Sequence, residues 1–473
     1  MKRLLLTFAL LFATVVAHSQ VTTASIRGVV TDTNGNPIPG AAVAIHNEAS
    51  GYRNGRACDT DGNYAINGIP VGGPYIINIS YLGYKTIVYN NIELHIGETL
   101  HINATLEEEP NVIEEIWVTD YVRDMHTQKY STMDMATIPT VDRSIYDLTK
   151  LSSSAVSPGA GGIVLGGQST RYNAFTIDGT SSADIYGLGT TGMTGSLTRA
   201  NPIPIDAVRE VQISTATVDL RESGFTGGSI NAVTRSGTND FKGSAYTYFN
   251  NQKFWGTTPG KEIEKRTALS EQMTNIVGVT LGGPIIKDKL HFFVAGEFNR
   301  GLTPSTNYPG SRTSALTLDE ARQISERYES LTGYDGGGYG ENRVLEITGA
   351  AVARLDWNIN KNNHLSLRYN MLYADADASS NTAQAFYFTG AEYTNINRTH
   401  SVVAELNTSK DWGSNALRIG YTRLEDGRLT DESLPAVIIN GLGERQNGSA
   451  TIGTNPYSGR NMLKQDEIGR AHV

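Results

Sequence analysis

The sequence predicts a mainly β protein in three parts: an N-terminal β-sandwich, a mixed α/β segment, and the first part of a transmembrane antiparallel β-barrel. Three observations point there. Short strands with turn signals about every 8–12 residues fill the region up to about 106. After Asn239, segments of roughly ten residues alternate apolar and polar positions with period two. Past the first twenty residues no run of about 18 apolar residues occurs, so any membrane crossing is by strands. Composition agrees: of 473 residues 50 are Gly, Tyr outnumbers Phe by 23 to 12, and charged residues are 18%, which suits β-structure with many turns. The net charge of −9 and the lack of any Lys/Arg cluster argue against a nucleic-acid partner.

Residues 1–19 read as a secretory signal peptide. Lys2-Arg3 gives a positive end, Leu4 to Val16 an apolar core too short to span a bilayer, and Ala17-His18-Ser19 a small-residue cleavage site. No Cys follows that site, so a lipoprotein anchor is not expected. The single cysteine, Cys58, makes no intrachain disulfide and is expected to be a lone buried or half-buried thiol.

Residues 21–106 form the sandwich. Strands are expected at Ser25–Thr31, Ala41–His46, Tyr64–Ile66, Tyr75–Tyr81, Thr86–Tyr89 and Leu100–Leu106, with turns at 34–37 and 59–63. The run GVVTDTNGNPIPGAAVAI, continued by TDGNYAINGIPVGGPYIINISYLGYKT, is similar to the carboxypeptidase-regulatory-like domain across nearly the whole segment. His95 and Glu98 fit H-x-x-E, the pair that zinc carboxypeptidases use. A zinc site needs a third ligand and a base, and neither is evident, so no metal is expected. Asp59 and Asp61 miss the EF-hand spacing and are expected to build their hairpin turn instead.

Residues 107–238 are mixed in character. After the acidic linker Glu107-Glu108-Glu109-Pro110 comes the apolar-rich strip NVIEEIWVTD. Ser144–Leu151 has helical spacing, and Phe175-Thr176-Ile177-Asp178-Gly179 reads as a strand and turn. Gly187–Gly192 fits G-x-G-x-x-G, but no apolar strand precedes it, and Pro202 and Pro204 interrupt the segment after it. A loop is expected there, not a dinucleotide site. Then Ile205–Glu210 leads into strand Val211–Ser214, Gly227-Gly228 turns, and Ser229–Thr234 is a second strand.

The phrase GGSINAVTRSGTNDF, Gly227 to Phe241, resembles the plug-to-barrel junction of TonB-dependent outer-membrane receptors. LGGPIIKDKLHFFVAGEF, Leu281 to Phe298, resembles the Oar-like branch of that family, and the regulatory-like domain often stands at the N-terminus of such receptors of Bacteroidetes type. Asp219–Phe225 departs from the family, where a Tyr-Gly pair is more usual. The resemblance implies that 107–238 holds a TonB box and a plug. The box is placed at Glu115-Ile116-Trp117-Val118-Thr119, an extended segment able to add a strand to the partner's sheet; the alternative is that these residues are simply the plug's first strand.

Residues 239–466 supply barrel strands. Ala351, Ala353, Leu355, Trp357 and Ile359 oppose Arg354, Asp356 and Asn358; Leu365, Leu367, Tyr369, Met371 and Tyr373 oppose His364, Ser366, Arg368 and Asn370. Val402, Ala404 and Leu406 oppose Ser401, Glu405 and Asn407, while Leu417, Ile419 and Tyr421 oppose Arg418 and Thr422. Phe292, Val294 and Phe298 are expected to face lipid. Short links at 360–363 and 411–414 suit periplasmic turns, and stretches of about 300–345 and 375–398 suit external loops. About seven strands are counted, against about 22 in the family; at roughly 33 residues per strand a whole barrel takes roughly 700 residues. A truncated chain is expected, with 467–473 a non-biological tail that resembles a translated sequencing adapter.

The function implied is energy-coupled import of an unidentified nutrient across a Gram-negative outer membrane. TonB and outer-membrane lipid are the partners, with the N-terminal domain and the box in the periplasm. No catalytic residue and no cofactor is expected: G-x-S-x-G, H-E-x-x-H and Walker A patterns do not occur. The alternative is an Oar-like adhesion or envelope-organising protein without transport. A secreted zinc peptidase rests on H-x-x-E alone.

Overall fold

The computed structural model describes residues 22–108, 113–117, 127–131, 135, 138, 143–156, 162–184, 189–215, 225–258, 267–410, 413–430, 434–455 and 462–472. Residues 1–19, Val118, Thr119, Gly187, Leu188 and 219–224, all singled out above, lie outside them.

The sandwich comprises β1 (Thr23–Asp32), β2 (Ala42–His46), β3 (Arg53–Ala57), β4 (Asn63–Pro70), β5 (Gly72–Ser80), β6 (Thr86–Leu94), β7 (Thr99–His101) and β8 (Ala104–Leu106). One sheet runs β4-β1-β7, with β8 also on β1; the other runs β3-β2-β5-β6 and ends on β9 (Ile113–Trp117). The alternating pattern drives this: Ile26, Val43, Ile45, Ile66, Ile77, Ile79 and Ile92 all point inward and are fully buried. Asp59 accepts from the N–H groups of Asp61 and Asn63, closing the turn as expected, with Gly62 at φ +76°. Cys58 is buried among these residues, and burial pushes its thiol up to about 11. One strand, β3, is not in the sequence expectation; RNGRA has no apolar alternation and forms because β2 offers it an edge.

An inner domain follows. It contains β10 (Thr127–Ser131), α1 (Ile145–Thr149), β11 (Ala155–Val156), β12 (Val164–Leu165), β13 (Ala174–Ile177), β14 (Thr180–Ser181), β15 (Val208–Ser214) and β16 (Ser229–Thr234). Its main sheet runs β10-β15-β16-β13-β14. Ser144 caps α1, its Oγ accepting the Tyr146 N–H at 3.1 Å. β15 and β16 are buried on both faces, as a sheet filling a lumen must be.

The wall is one eight-stranded antiparallel sheet: β17 (Lys242–Asn251), β18 (Met273–Ile286), β19 (Leu290–Pro304), β20 (Arg343–Asn360), β21 (Asn363–Ala378), β23 (Tyr393–Lys410), β24 (Gly413–Leu429) and β27 (Met462–His472). The strand faces fall as the alternation predicts. Leu355, Trp357, Leu367, Tyr369, Val402, Ile419 and Phe298 are exposed on the outer face, while Asp356, Arg368, Asn370 and Glu405 are buried inside. Phe293, Ala295 and Val352 join the inner domain's core cluster, so the inner domain packs against the wall. Asn360–Asn363 is a short turn, and β23 and β24 pair as far as Lys410 opposite Gly413; the opposite end carries long connections.

Those connections are not plain loops. They fold into α2 (Leu318–Thr332) and a small sheet of β22 (Ala385–Tyr387), β26 (Gly448–Ile452) and β25 (Val437–Leu442) in that order. Leu316, Ala321, Tyr328, Phe386, Phe388, Ala450 and Ile452 form their shared core. A cavity of about 570 Å³ lies between α2 and β25, lined by Ile324, Leu331, Val437 and Leu442 among others. No described helix is long and apolar enough to cross a membrane.

Candidate functional site

The expected coupling residues Glu115, Ile116 and Trp117 lie in β9, and β9 pairs in parallel with β6 of the sandwich. Glu115 stands opposite Val88, Ile116 opposite Tyr89 and Trp117 opposite Asn90. The segment is therefore an edge strand of the first domain's sheet. It does not belong to the inner sheet, which begins at β10.

The turn after β6 joins the sandwich to the inner domain. Glu98 Oε2 accepts the His95 backbone N–H at 2.9 Å and so closes its own turn. This frees the ring of His95 to face Glu210 of β15, Nδ1 to Oε2 at 3.1 Å, while Ile96 N donates to the other carboxylate oxygen at 3.3 Å. Ile96 also buries itself against Val71 and Val233. The two halves of H-x-x-E thus point to different partners, and among the described residues no group of three His, Cys, Asp or Glu side chains is placed to hold a metal. Sequence reasoning missed Glu210, a carboxylate in an otherwise apolar strand whose partner is distant along the chain.

The sandwich also docks on the short-turn end of the wall. Asn239 donates to the carbonyl oxygens of Ala49 and Glu48, at 2.6 and 3.0 Å. Asn358 Nδ2 donates to Ser50 O at 3.0 Å, Arg56 to Ser409 Oγ at 2.8 Å, and Asn67 to Ser414 Oγ at 3.2 Å. Thr22 donates to Glu405 and accepts from Arg418 at 2.7 Å. Gly51 lies so close to Asp288 that a Cβ has no room there, and its φ of +63° is one that Gly adopts without cost.

Between inner domain and wall the hub is Asp178, which sits at φ +46° in the turn after β13. Its carboxylate accepts from Thr234 N and Oγ1 at 2.8 and 2.7 Å, and from Arg368 Nη1 at 3.2 Å. Arg354 stands 3.7 Å from it and is held by Asp356 at 2.8 Å. A second tie is Arg143. It pairs with Asp206, donates to Tyr248 Oη at 2.9 Å, and lies 4.6 Å over the rings of both Tyr246 and Tyr248. Where sandwich, inner domain and wall meet, a cavity of about 90 Å³ is lined by Tyr75, Asp178, Thr234, Arg354 and Glu405. Ion pairs and hydrogen bonds of this kind hold separate bodies together.

Comparison with known proteins agrees with this layout. The carboxypeptidase regulatory-like domain family matches residues 25–107, and the outer membrane beta barrel domain family matches 233–323. The TonB-dependent transporter Oar of Myxococcus xanthus is 29% identical over 339 residues, covering 66% of this chain and 30% of the relative. The probable TonB-dependent siderophore receptor PirA of Acinetobacter baumannii is 24% identical over 233 residues, covering 49% and 27%. Among solved structures, the outer membrane transporter YddB of Escherichia coli superposes with a TM-score of 0.50 at 13% identity, over 72% of this chain and 44% of that one, a likeness of fold. The chain spans under a third of the length of the curated relatives it matches.

Fold, the exposed apolar face of the wall and the matched families define a β-barrel protein of the Gram-negative outer membrane. Within that class the chain is a homologue of the TonB-dependent transporter Oar, with a carboxypeptidase regulatory-like domain at its N-terminal side.

Proposed function

We propose that the protein is an energy-coupled import receptor in which the inner domain, residues up to about 238, is the plug and Glu115–Thr119 the TonB box. The observation that carries this reading is β9: an extended segment on a sheet edge, ahead of the plug's first described strand in the chain. A sheet edge presents unpaired backbone N–H and C=O groups, and a partner strand adds there with main-chain hydrogen bonds. The polar ties at Asp178 and Arg143 support a plug that stays seated at rest and shifts under load. The work for such a shift is done by force that the partner transmits from the inner-membrane proton gradient. The external α2 and β25 groove is where a ligand meets the receptor first, and the siderophore named for PirA makes iron chelates the first class to try.

Deleting residues 115–119 from the full-length protein, with outer-membrane insertion confirmed, tests the reading. Whole-cell uptake across ferric chelates, glycans, peptides and cobalamin is compared with the parent. Collapse of one class supports import and names the substrate. Unchanged uptake with impaired cell attachment supports the adhesion alternative.

A further inference from the structure

Two connections leave β9. One follows the chain to β10, whose Ser131 lies opposite Glu210 of β15. The other is lateral: β9 is paired with β6, and β6 runs at Leu94 straight into the turn that grips the same Glu210 through His95 and Ile96. Both routes converge on one residue, the first on its backbone and the second on its carboxylate, and its side chain is only 4% exposed. The sandwich meanwhile bridges three consecutive short turns of the wall, at Asp288, at Asn358 and at Ser409 and Ser414.

We propose that the regulatory-like domain is a cover on the periplasmic mouth that carries the coupling strand as its own edge strand, so that one pull on β9 lifts the cover and loads the plug at Glu210 together. This rests on the TonB-box reading above and gives the sandwich a working part in it. The geometry favours lifting over release. β9 ends the order β3-β2-β5-β6-β9, so β6 occupies one of its edges and a partner strand adds to the other. No pairing with β6 has to break first.

The contacts that hold the cover down are of a kind that yields. Most join hydroxyl, amide and carbonyl groups, which exchange one another for water as the surfaces part. A cavity of about 600 Å³ separates the two bodies, walled by Asn54 and Asn67 on one side and Asn358, Asn360, Asn363 and Asn415 on the other. Arg27, Arg53, Lys289 and Lys361 also line it, and an interface of facing polar and charged groups is wet and separable. The sandwich interior, by contrast, is one continuous apolar cluster from Ala24 to Leu106 and moves as a unit. Thr22, shared between Glu405 and Arg418, is a tie to charged groups.

The test uses the full-length receptor in living cells with Cys58→Ala as background. Asn67→Cys alone is labelled with a fluorescein maleimide small enough to pass porins. Labelling is expected to run severalfold faster in energised cells than in cells given a protonophore. Oxidising a Thr86→Cys/Ile113→Cys pair, which staples β9 to β6, is expected to leave that difference intact. Loss of the difference on oxidation, regained on reduction, means that β9 must leave the sandwich and overturns the proposal; so does equal labelling with and without energy. A second pair, Asn67→Cys/Ser414→Cys, staples the cover to the wall and is expected to abolish uptake reversibly. If deleting 115–119 stops uptake while the stapled cover does not, the box reading stands and the cover fails. If labelling still responds to energy without 115–119, the box reading itself fails.

Discussion

His95 Nδ1 lies 3.1 Å from Glu210 Oε2, and this contact joins a sandwich turn to the second strand of the inner sheet. The Glu210 hydrogen bond raises the imidazole above its usual range and prevails over burial, which lowers it; Glu98 adds to the rise and Lys129 opposes it. A raised His value means the charged pair stabilises docking fully below pH about 6.5 and loses that contribution as pH climbs through the raised value. Protease nicking at the boundary between sandwich and inner domain is therefore expected to increase from about pH 6 upward, as the raised His95 value is passed. His95→Ala should flatten that dependence and weaken docking at low pH by about 1.5–3 kcal/mol, the range for hydrogen bonds to charged groups.

Removing Asp178 should cost more than removing any surface charge. Arg368 is buried and pairs with Asp178, whereas Arg354 retains Asp356. Asp178→Ala leaves a buried guanidinium without its carboxylate, worth about 3–5 kcal/mol of seating energy. Thr234 loses two hydrogen-bond acceptors at once. Thermal release of the inner domain, followed by its accessibility to protease, is expected to move to lower temperature. Adding Arg368→Leu should recover part of the loss, because the stranded charge goes with it.

The wall offers a control on the lipid-facing assignment. Val402 is 41% exposed midway along β23, and Val403 beside it is 4% exposed toward the lumen. Val402→Arg is expected to destabilise folding into bilayers by about 2–4 kcal/mol, while Val402→Leu is neutral. Equal tolerance of both would mean that this face does not meet lipid.

Period and local chemistry decide how much of the molecule is legible in the sequence. The strand faces of β20, β21, β23 and β24 are those the alternation predicts, since a pleated strand with lipid on one side and a wet, filled lumen on the other leaves no second register. The Asp59 turn and the Ser144 cap are legible because each side chain bonds backbone within a few residues. The polar strand β3 is not, since its pairing is imposed by β2. Nor is the His95–Glu210 joint, for a contact spanning 115 residues leaves no local trace. The placing of Glu115–Trp117 on the sandwich is hidden for the same reason: parallel pairing to β6 depends on where the sheet has room. The helix α2 is a different case. Its signal is present in the sequence, as Thr317 and Glu320 have capping-box spacing and Ala321, Ile324 and Tyr328 share a face, but the long polar stretch around it favours a loop reading.

That helix start makes the last prediction. Thr317 Oγ1 accepts the Glu320 N–H at 3.2 Å, and Glu320 Oε2 accepts the Thr317 N–H at 2.9 Å. Glu320 Oε1 accepts in addition from Gly443 N at 2.8 Å, tying the helix to the turn after β25. Burial works against the Glu320 charge, but the backbone donors of Thr317 and Gly443 outweigh it and hold the carboxyl below its usual range. Thr317→Ala removes one cap bond and should cost about 1 kcal/mol, with Thr317→Ser nearly silent. Glu320→Ala removes the reciprocal bond and the Gly443 tie together, so the loss should reach about 2–3 kcal/mol. Because a depressed carboxyl stabilises above its unfolded value and loses this as pH falls through the folded one, the parent helix should also fray below pH about 4. Hydrogen exchange at the amides of Leu318 to Ala321 reads all three effects. Exchange that is equally slow in Glu320→Ala and the parent would show that core packing at Ala321 and Tyr328 alone holds the helix.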